Sequence, residues 1–277
     1  MSARPVVLVT GSARRVGRAI ALDLAGHGFD LAVHYRGSAA EAQATARDCA
    51  ALGARAQTFQ ADLSDESATR SLLPAVVQAF GRVEAVVNNA SDFEYDDPGS
   101  FSYALMERQW RANTAPAIVL AQALHAHIAT SGATRGATGC VINLLDQKLW
   151  NQNPDYLSHT LSKAALEAAT TMLAMGLAPR VRVCGVAPGV TLLSGAMADG
   201  EFERAHRMTP LQRSSTPEDI ARAVRFLIES PAITGTTVLV DGGQHLAGQP
   251  RDVMFLVRQA ADAARDQRPA SPADSSS

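Results

Sequence analysis

The chain has 277 residues, of which 47% are hydrophobic and 19% charged, enough apolar mass for a full core without staples and too much for a disordered chain. With 25 Lys+Arg against 27 Asp+Glu the formal charge is −2, which lacks the basic excess of a dedicated nucleic-acid binder. No apolar run reaches the ~18 residues that span a bilayer, Met1–Pro5 lacks a signal-peptide layout, and Cys49, Cys140 and Cys184 have neither disulfide-framework nor metal-ligand spacing, so a cytoplasmic, metal-free protein with no membrane partner is expected.

Short apolar runs alternate with helical patterns along the chain. Pro5–Thr10 reads as a buried strand, followed by a glycine-containing turn and a helix to about Gly28. Asp30–Tyr35 is the second strand, after which Ser38 is expected to cap a helix ending at Gly53. Arg55–Gln60 is the third strand, and Ser64 opens a helix to Phe80. Glu84–Asn88 is the fourth strand, and Tyr103–Thr130 forms one long helix or two. Cys140–Leu145 is the fifth strand, Tyr156–Ala178 a long helix and Arg180–Ala187 the sixth strand. Thr216, Pro217 and Glu218 supply a cap, a first-turn proline and a first-turn acid for a helix to Glu229, before the seventh strand at Thr236–Val240. The strands are continuous Val/Ile/Leu runs, as parallel strands covered on both faces require. This unbroken alternation predicts one doubly wound α/β domain over residues 1–248, with a helical extension over 249–265 and a disordered tail over 266–277.

Chemistry concentrates at the carboxyl ends of these strands, where open α/β sheets bind ligands. Thr10-Gly11-Ser12-Ala13-Arg14-Arg15-Val16-Gly17 joins the first strand to the first helix, whose N-terminus favours a phosphate. Gly11 suits a tight turn and Gly17 close packing of helix on strand. The second strand ends in Tyr35-Arg36-Gly37-Ser38, with no acid to accept from the ribose 2′-OH of NAD. Arg36, Ser38 and Arg14 instead suit the 2′-phosphate of NADP. Asp62-Leu63 follows the third strand and Asn88-Asn89-Ala90 the fourth.

Together with Asn113, Ser162-Lys163-Ala164-Ala165-Leu166, Pro188-Gly189 and Asp241-Gly242-Gly243, these residues resemble the short-chain dehydrogenase/reductase family over about residues 5–245. The resemblance implies a Rossmann-type parallel seven-stranded sheet with helices on both faces, hydride transfer with a nicotinamide, and a homotetramer. It also implies that Asp62 and Leu63 lie at the adenine, Asn89 and Ala90 at the cofactor ribose and Lys163 at the nicotinamide ribose. Gly11, Arg15, Val16, Pro188 and Gly189 complete the cofactor set.

The family's usual proton donor is a tyrosine four residues before the lysine, with a serine thirteen residues before that tyrosine; here these positions hold His159 and Asp146. Asn113, the family's water-relay asparagine, is present. Asp146 in Asn143-Leu-Leu-Asp146-Gln resembles the pteridine reductases, as do Arg15 in the cofactor loop and Asn89-Ala90-Ser91-Asp92-Phe93. That resemblance implies that Phe93 sandwiches a pterin ring, that Arg15, Ser91 and Thr191 line its site, and that Asp146 is the acid. His159 begins near pKa 6.5, so it is either an acid or a polar spacer beside Asp146. Tyr156, three residues earlier, lies near one helical turn away. Three readings follow: an NADPH-dependent dihydropterin or dihydrofolate reductase, a carbonyl or 3-oxoacyl reductase of the same fold, or a non-catalytic NADP-binding regulator. The missing tyrosine and serine speak against the second.

Overall fold

The computed structural model describes residues 4–130, 139–192, 199–257 and 259. Its seven strands are β1 (Val6–Val9), β2 (Asp30–Tyr35), β3 (Ala56–Gln60), β4 (Ala85–Asn88), β5 (Gly139–Leu144), β6 (Val181–Pro188) and β7 (Thr237–Val240). They form a single parallel sheet in the order β3-β2-β1-β4-β5-β6-β7. Strand order reverses between β1 and β4, which opens a crevice there at the strands' carboxyl ends.

Period-two alternation in the strands divides the core. Val7, Val9, Leu31 and Ile142 pack with Ile20 and Leu24 of α1 (Arg15–Gly26), with α2 (Ala39–Ala51), and with Ile220 and Leu227 of α8 (Pro217–Glu229). Val6, Leu8, Val86 and Val141 face the other way, onto α3 (Glu66–Phe80), α5 (Ala115–Thr130) and α6 (Leu157–Gly176). Both faces of the central strands are thus removed from water, which is why β1 and β4 carry unbroken apolar runs, whereas edge strand β3 keeps exposed Gln57 and Gln60.

Several boundaries differ from the sequence expectation. Ser38 precedes α2 but makes no side-chain cap. Asp65, not Ser64, caps α3, accepting from Ser67 and Ala68 N–H groups, because Ser64 is engaged by Asp62. The 103–130 stretch is α4 (Tyr103–Gln109), one π-helical turn at Trp110–Thr114, and α5. A further helix, α7 (Asp199–Arg207), was not anticipated. The cap, proline and capping box of α8 are as expected. Residues 249–257 fold back onto the domain and 253–257 are helical. The remainder of the expected extension, except residue 259, and the whole expected tail lie outside the described residues. Among the described residues no helix is long and apolar enough to cross a membrane.

Candidate active site

Two adjoining depressions lie at the carboxyl edge of the sheet. The first, a groove of about 500 Å³, runs from the loop before α1 past the ends of β2, β3 and β4. It is lined by Gly11, Arg14, Arg15, Val16, Gly17, Tyr35, Arg36, Ser38, Asp62, Leu63, Asn89, Ala90 and Ser91. All but two of the expected cofactor residues meet here or in the neighbouring pocket: Lys163 and Pro188 line neither depression.

The loop is held by its neighbours. Gly11 adopts φ +62°, a left-handed conformation that favours glycine, and its N–H donates to Nδ1 of buried His34 at 3.0 Å. Asn89 Nδ2 donates to the Thr10 and Gly11 carbonyls at 2.8 and 3.2 Å, so its amide supports the loop. A Cβ on Gly17 would stand 2.4 Å from the Gly11 oxygen and 2.5 Å from Asn89 Nδ2. Only glycine lets α1 begin this close to β4. His34 Nε2 contacts the Ala61 carbonyl at 3.1 Å, and burial pushes its pKa down to about 4. Ser64 donates two hydrogen bonds to Asp62, holding its carboxyl below the usual range. Exposed Arg14, Arg15 and Arg36 give the groove three guanidinium groups. The groove's length, its glycine approach and these cations fit a phosphate-bearing dinucleotide.

The second depression, about 290 Å³, adjoins the first through Arg15 and Val16. Its lining includes Phe93, Asp146, Gln147, Lys148, Tyr156, His159, Gly189, Thr191, Gln244, Asp252 and Val253. Phe93 stacks on Tyr156 with ring centroids 4.2 Å apart and meets the edge of His159 at 4.8 Å. Arg15 and Tyr156 both hold positive φ, +57° and +55°, a strain of about 1–3 kcal/mol each that keeps two pocket side chains in fixed directions. Ser91 lines the groove instead of this pocket, and its hydroxyl donates to Asn113 Oδ1 at 3.1 Å. Thr191 bonds Ser215 at 2.6 Å across the rim.

Asp146 caps the 3-10 turn Gln147–Trp150, accepting from the Lys148 N–H at 2.9 Å. Desolvation raises its pKa, more than offsetting the opposing hydrogen bond from Lys148 and the Lys148 and Lys163 charges. His159 Nδ1 lies 3.0 Å from the Asp92 carbonyl oxygen, which can only accept, so Nδ1 carries the ring proton. The lone pair of Nε2 then faces Asp146 Oδ2 at 3.9 Å, beyond hydrogen-bond distance. Burial, reinforced by the Lys163 charge, pushes His159 down to about 3, so it is neutral near pH 7. Lys163 is buried, donates to the Leu144 carbonyl at 2.7 Å and is lowered by burial to about 8.

Asn113 sits in the π-helical turn and is enclosed. Its Nδ2 donates to Gln109 at 2.7 Å and Ser162 at 3.0 Å, and its Oδ1 accepts from the Asp92 N–H at 2.7 Å. It braces the segment carrying Asp92 and Phe93 and lines neither depression. Gln147, Lys148, Gln244, Asp252 and Val253 were not anticipated in the pocket. Gln147 Oε1 is buried without a hydrogen-bond partner, a recognisable mark of a polar site once the fold is known.

Known proteins are similar to this chain over most of its length. The family described as enoyl-(acyl carrier protein) reductase matches residues 11–245. Pteridine reductase 1 of Leishmania tarentolae is 33% identical over 282 aligned positions, covering 87% of this chain and 96% of that protein. A 3-oxoacyl-(acyl-carrier-protein) reductase of Staphylococcus aureus is 32% identical, covering 86% and 97%. The crystal structure of FolM alternative dihydrofolate reductase 1 from Brucella canis, complexed with NADP, superposes with a TM-score of 0.82 at 39% identity, covering 91% of this chain and 98% of that one. With the family match spanning residues 11–245 and relatives above 30% identity covered over nearly their whole length, the chain is an oxidoreductase and belongs to the short-chain dehydrogenase/reductase family.

Proposed function

We propose that the protein uses NADPH to reduce the ring of a dihydropterin or dihydrofolate. The observation that carries this reading is the pocket itself: an aromatic wall of Phe93 and Tyr156 beside a carboxyl, Asp146, whose pKa desolvation raises. A flat heteroaromatic ring gains offset stacking on such a wall. The similarity to a pteridine reductase and to an alternative dihydrofolate reductase bound to NADP supports the same reading.

The groove would hold NADPH, with Gly11, Val16 and Gly17 against the pyrophosphate and Arg14, Arg36 and Ser38 at the 2′-phosphate. When bound, NADPH supplies the hydride. The chain's residues manage the proton. Asp146 delivers it to a ring nitrogen, and the Lys163 and Lys148 charges steady the carboxylate left behind. His159, neutral and holding its one proton on Asp92, is a polar neighbour of the acid and not the donor. Arg15 lies where pocket and groove join and is placed to orient the ring. The absence of an acidic tyrosine at position 159 disfavours ordinary ketone reduction.

Residues 1–248 are assigned to the reductase domain. The protein is expected to act in the cytoplasm as a homotetramer. Exposed Leu161, Met172 and Met175 on α6, with Trp110 nearby in sequence to α5, support self-association. Sedimentation velocity would test this: a monomer at micromolar concentration would refute it. The activity is tested by NADPH consumption with 7,8-dihydrobiopterin, 7,8-dihydrofolate and an acetoacetyl thioester. Turnover of the ring substrates alone is expected, and turnover of the thioester alone would overturn the reading.

A further inference from the structure

Asp146 shares its surroundings with charges drawn from distant parts of the chain. Arg15, Lys148, Tyr156, His159 and Asp252 are the titratable groups that line the pocket with it, and Lys163 acts on it from α6. His159 is neutral near pH 7, and Arg15 is exposed where the pocket meets the groove, so water screens it. The balance at Asp146 is therefore set by two buried ammonium groups, Lys148 and Lys163, against one carboxylate, Asp252.

Lys148 follows Asp146 by two residues in the 3-10 turn. Its Nζ donates to the Asp155 carbonyl at 2.6 Å, pairs with Asp252 Oδ2 at 3.4 Å and lies 5.4 Å from the Tyr156 ring centre. A buried ammonium is costly unless an anion accompanies it, and Asp252 is that anion. The C-terminal segment holds Asp252 in place from both sides. Before it, Arg251 Nε and a terminal nitrogen reach the buried Asp155 carboxylate at 2.9 and 2.7 Å, and the Asp252 N–H donates to the same carboxylate at 2.7 Å. After it, Val253 and Val257 pack with Ala205 of α7 and Val190, and Phe255 meets the edge of Tyr95 at 5.5 Å. Asp252 Oδ1 accepts from the Met254 N–H at 3.1 Å, which leaves Oδ2 turned to Lys148. Without this partner, the Lys148 charge would act on Asp146 uncompensated and draw off the proton that the reaction needs.

We propose that Asp252 is a positioning residue: carried by the C-terminal segment and fastened through Asp155 and Arg251, it balances Lys148 so that Asp146 keeps its proton. This rests on the pterin reading of the site. The test is the pH profile of single-turnover hydride transfer from NADPH to 7,8-dihydrobiopterin in the full chain. Asp252→Asn keeps an acceptor for the Met254 N–H and removes the charge, so the limb that falls with rising pH should move down by about one unit. Lys148→Met removes the ammonium and should move the same limb up by about as much. The double variant should return it close to its original place. Arg251→Gln, which loosens the segment and leaves both charges, should move the limb down by less and serves as well if a pocket variant fails to fold. A purely structural role would slow the reaction without moving the limb in opposite directions. Limbs that stay in place, or move the same way in the two single variants, overturn the proposal and leave the pterin reading standing. If the unmodified protein reduces no pterin, both fall together.

Discussion

The groove and the pocket share an edge of one sheet, yet different parts of the molecule build them. The groove is shaped by backbone: a glycine loop, the start of α1 and the ends of β2 to β4, all within the first 113 residues. The pocket is shaped by side chains drawn from five separate stretches, around residues 15, 93, 146–159, 189–192 and 244–253. Backbone geometry tolerates little change, so the groove keeps the family's pattern. Side chains change one at a time, and there Asp146 and His159 depart from it. Cofactor recognition is thereby insulated from substrate chemistry.

Substitutions can break that separation, beginning with the largest expected effect. Asp146→Asn should cut pterin turnover by roughly 10²–10⁴-fold while leaving NADPH affinity nearly intact. Loss of both in stopped-flow and fluorescence titrations would show that the two sites are not independent. Arg36→Asp should do the converse. Removing a charge-assisted contact and adding a like charge at the 2′-phosphate should weaken NADPH by roughly 10- to 150-fold and leave NADH little affected. Tighter NADH than NADPH binding by the unmodified protein would refute the assignment of Arg36. Phe93→Ala should weaken pterin binding about tenfold through the lost ring face, with a much smaller effect on NADPH. Equal losses would return Phe93 to a purely structural place in its loop.

The smallest effect is expected at His159. With its pKa pushed down to about 3, the ring cannot donate near neutrality, so His159→Phe should slow turnover by less than about tenfold. The pH profile sharpens the point. Asp146 must be protonated to act, so the rate should fall as pH rises through its elevated pKa, and this limb should persist in His159→Phe. Disappearance of the limb in that variant would make the histidine the acid.

The sheet and the groove were legible because their signals are local. Val6–Val9 and Ala85–Asn88 are short apolar runs, and Gly11 and Gly17 lie within one loop of the residues they serve. Local competition among cap-forming residues blurred the edges: Ser64 and Asp65 are both good caps, and only the fold shows Ser64 engaged by Asp62. The π-helical turn that positions Asn113 has no sequence mark. The C-terminal wall escaped for a different reason. Asp155 and Arg251 are 96 positions apart, and nothing in either stretch announces their pairing. Val253 and Val257 pack with Ala205, which lies in a short helix of mostly polar sequence, and with Val190.

His34 beneath the glycine loop sets an acid limit on the whole groove. Its Nδ1 must be unprotonated to accept from Gly11, and the folded protein keeps it so down to about pH 4. In the unfolded chain the same ring takes a proton near pH 6.5. Between those values the unfolded state binds more protons, so folding stability drains away as pH falls from about 6.5 toward 4. A ligand that holds the loop closed opposes this by mass action. Thermal melts should therefore fall from pH 7 to pH 5 with and without cofactor, saturating NADPH raising both by a similar amount, so the margin left in acid is smallest when the cofactor is scarce.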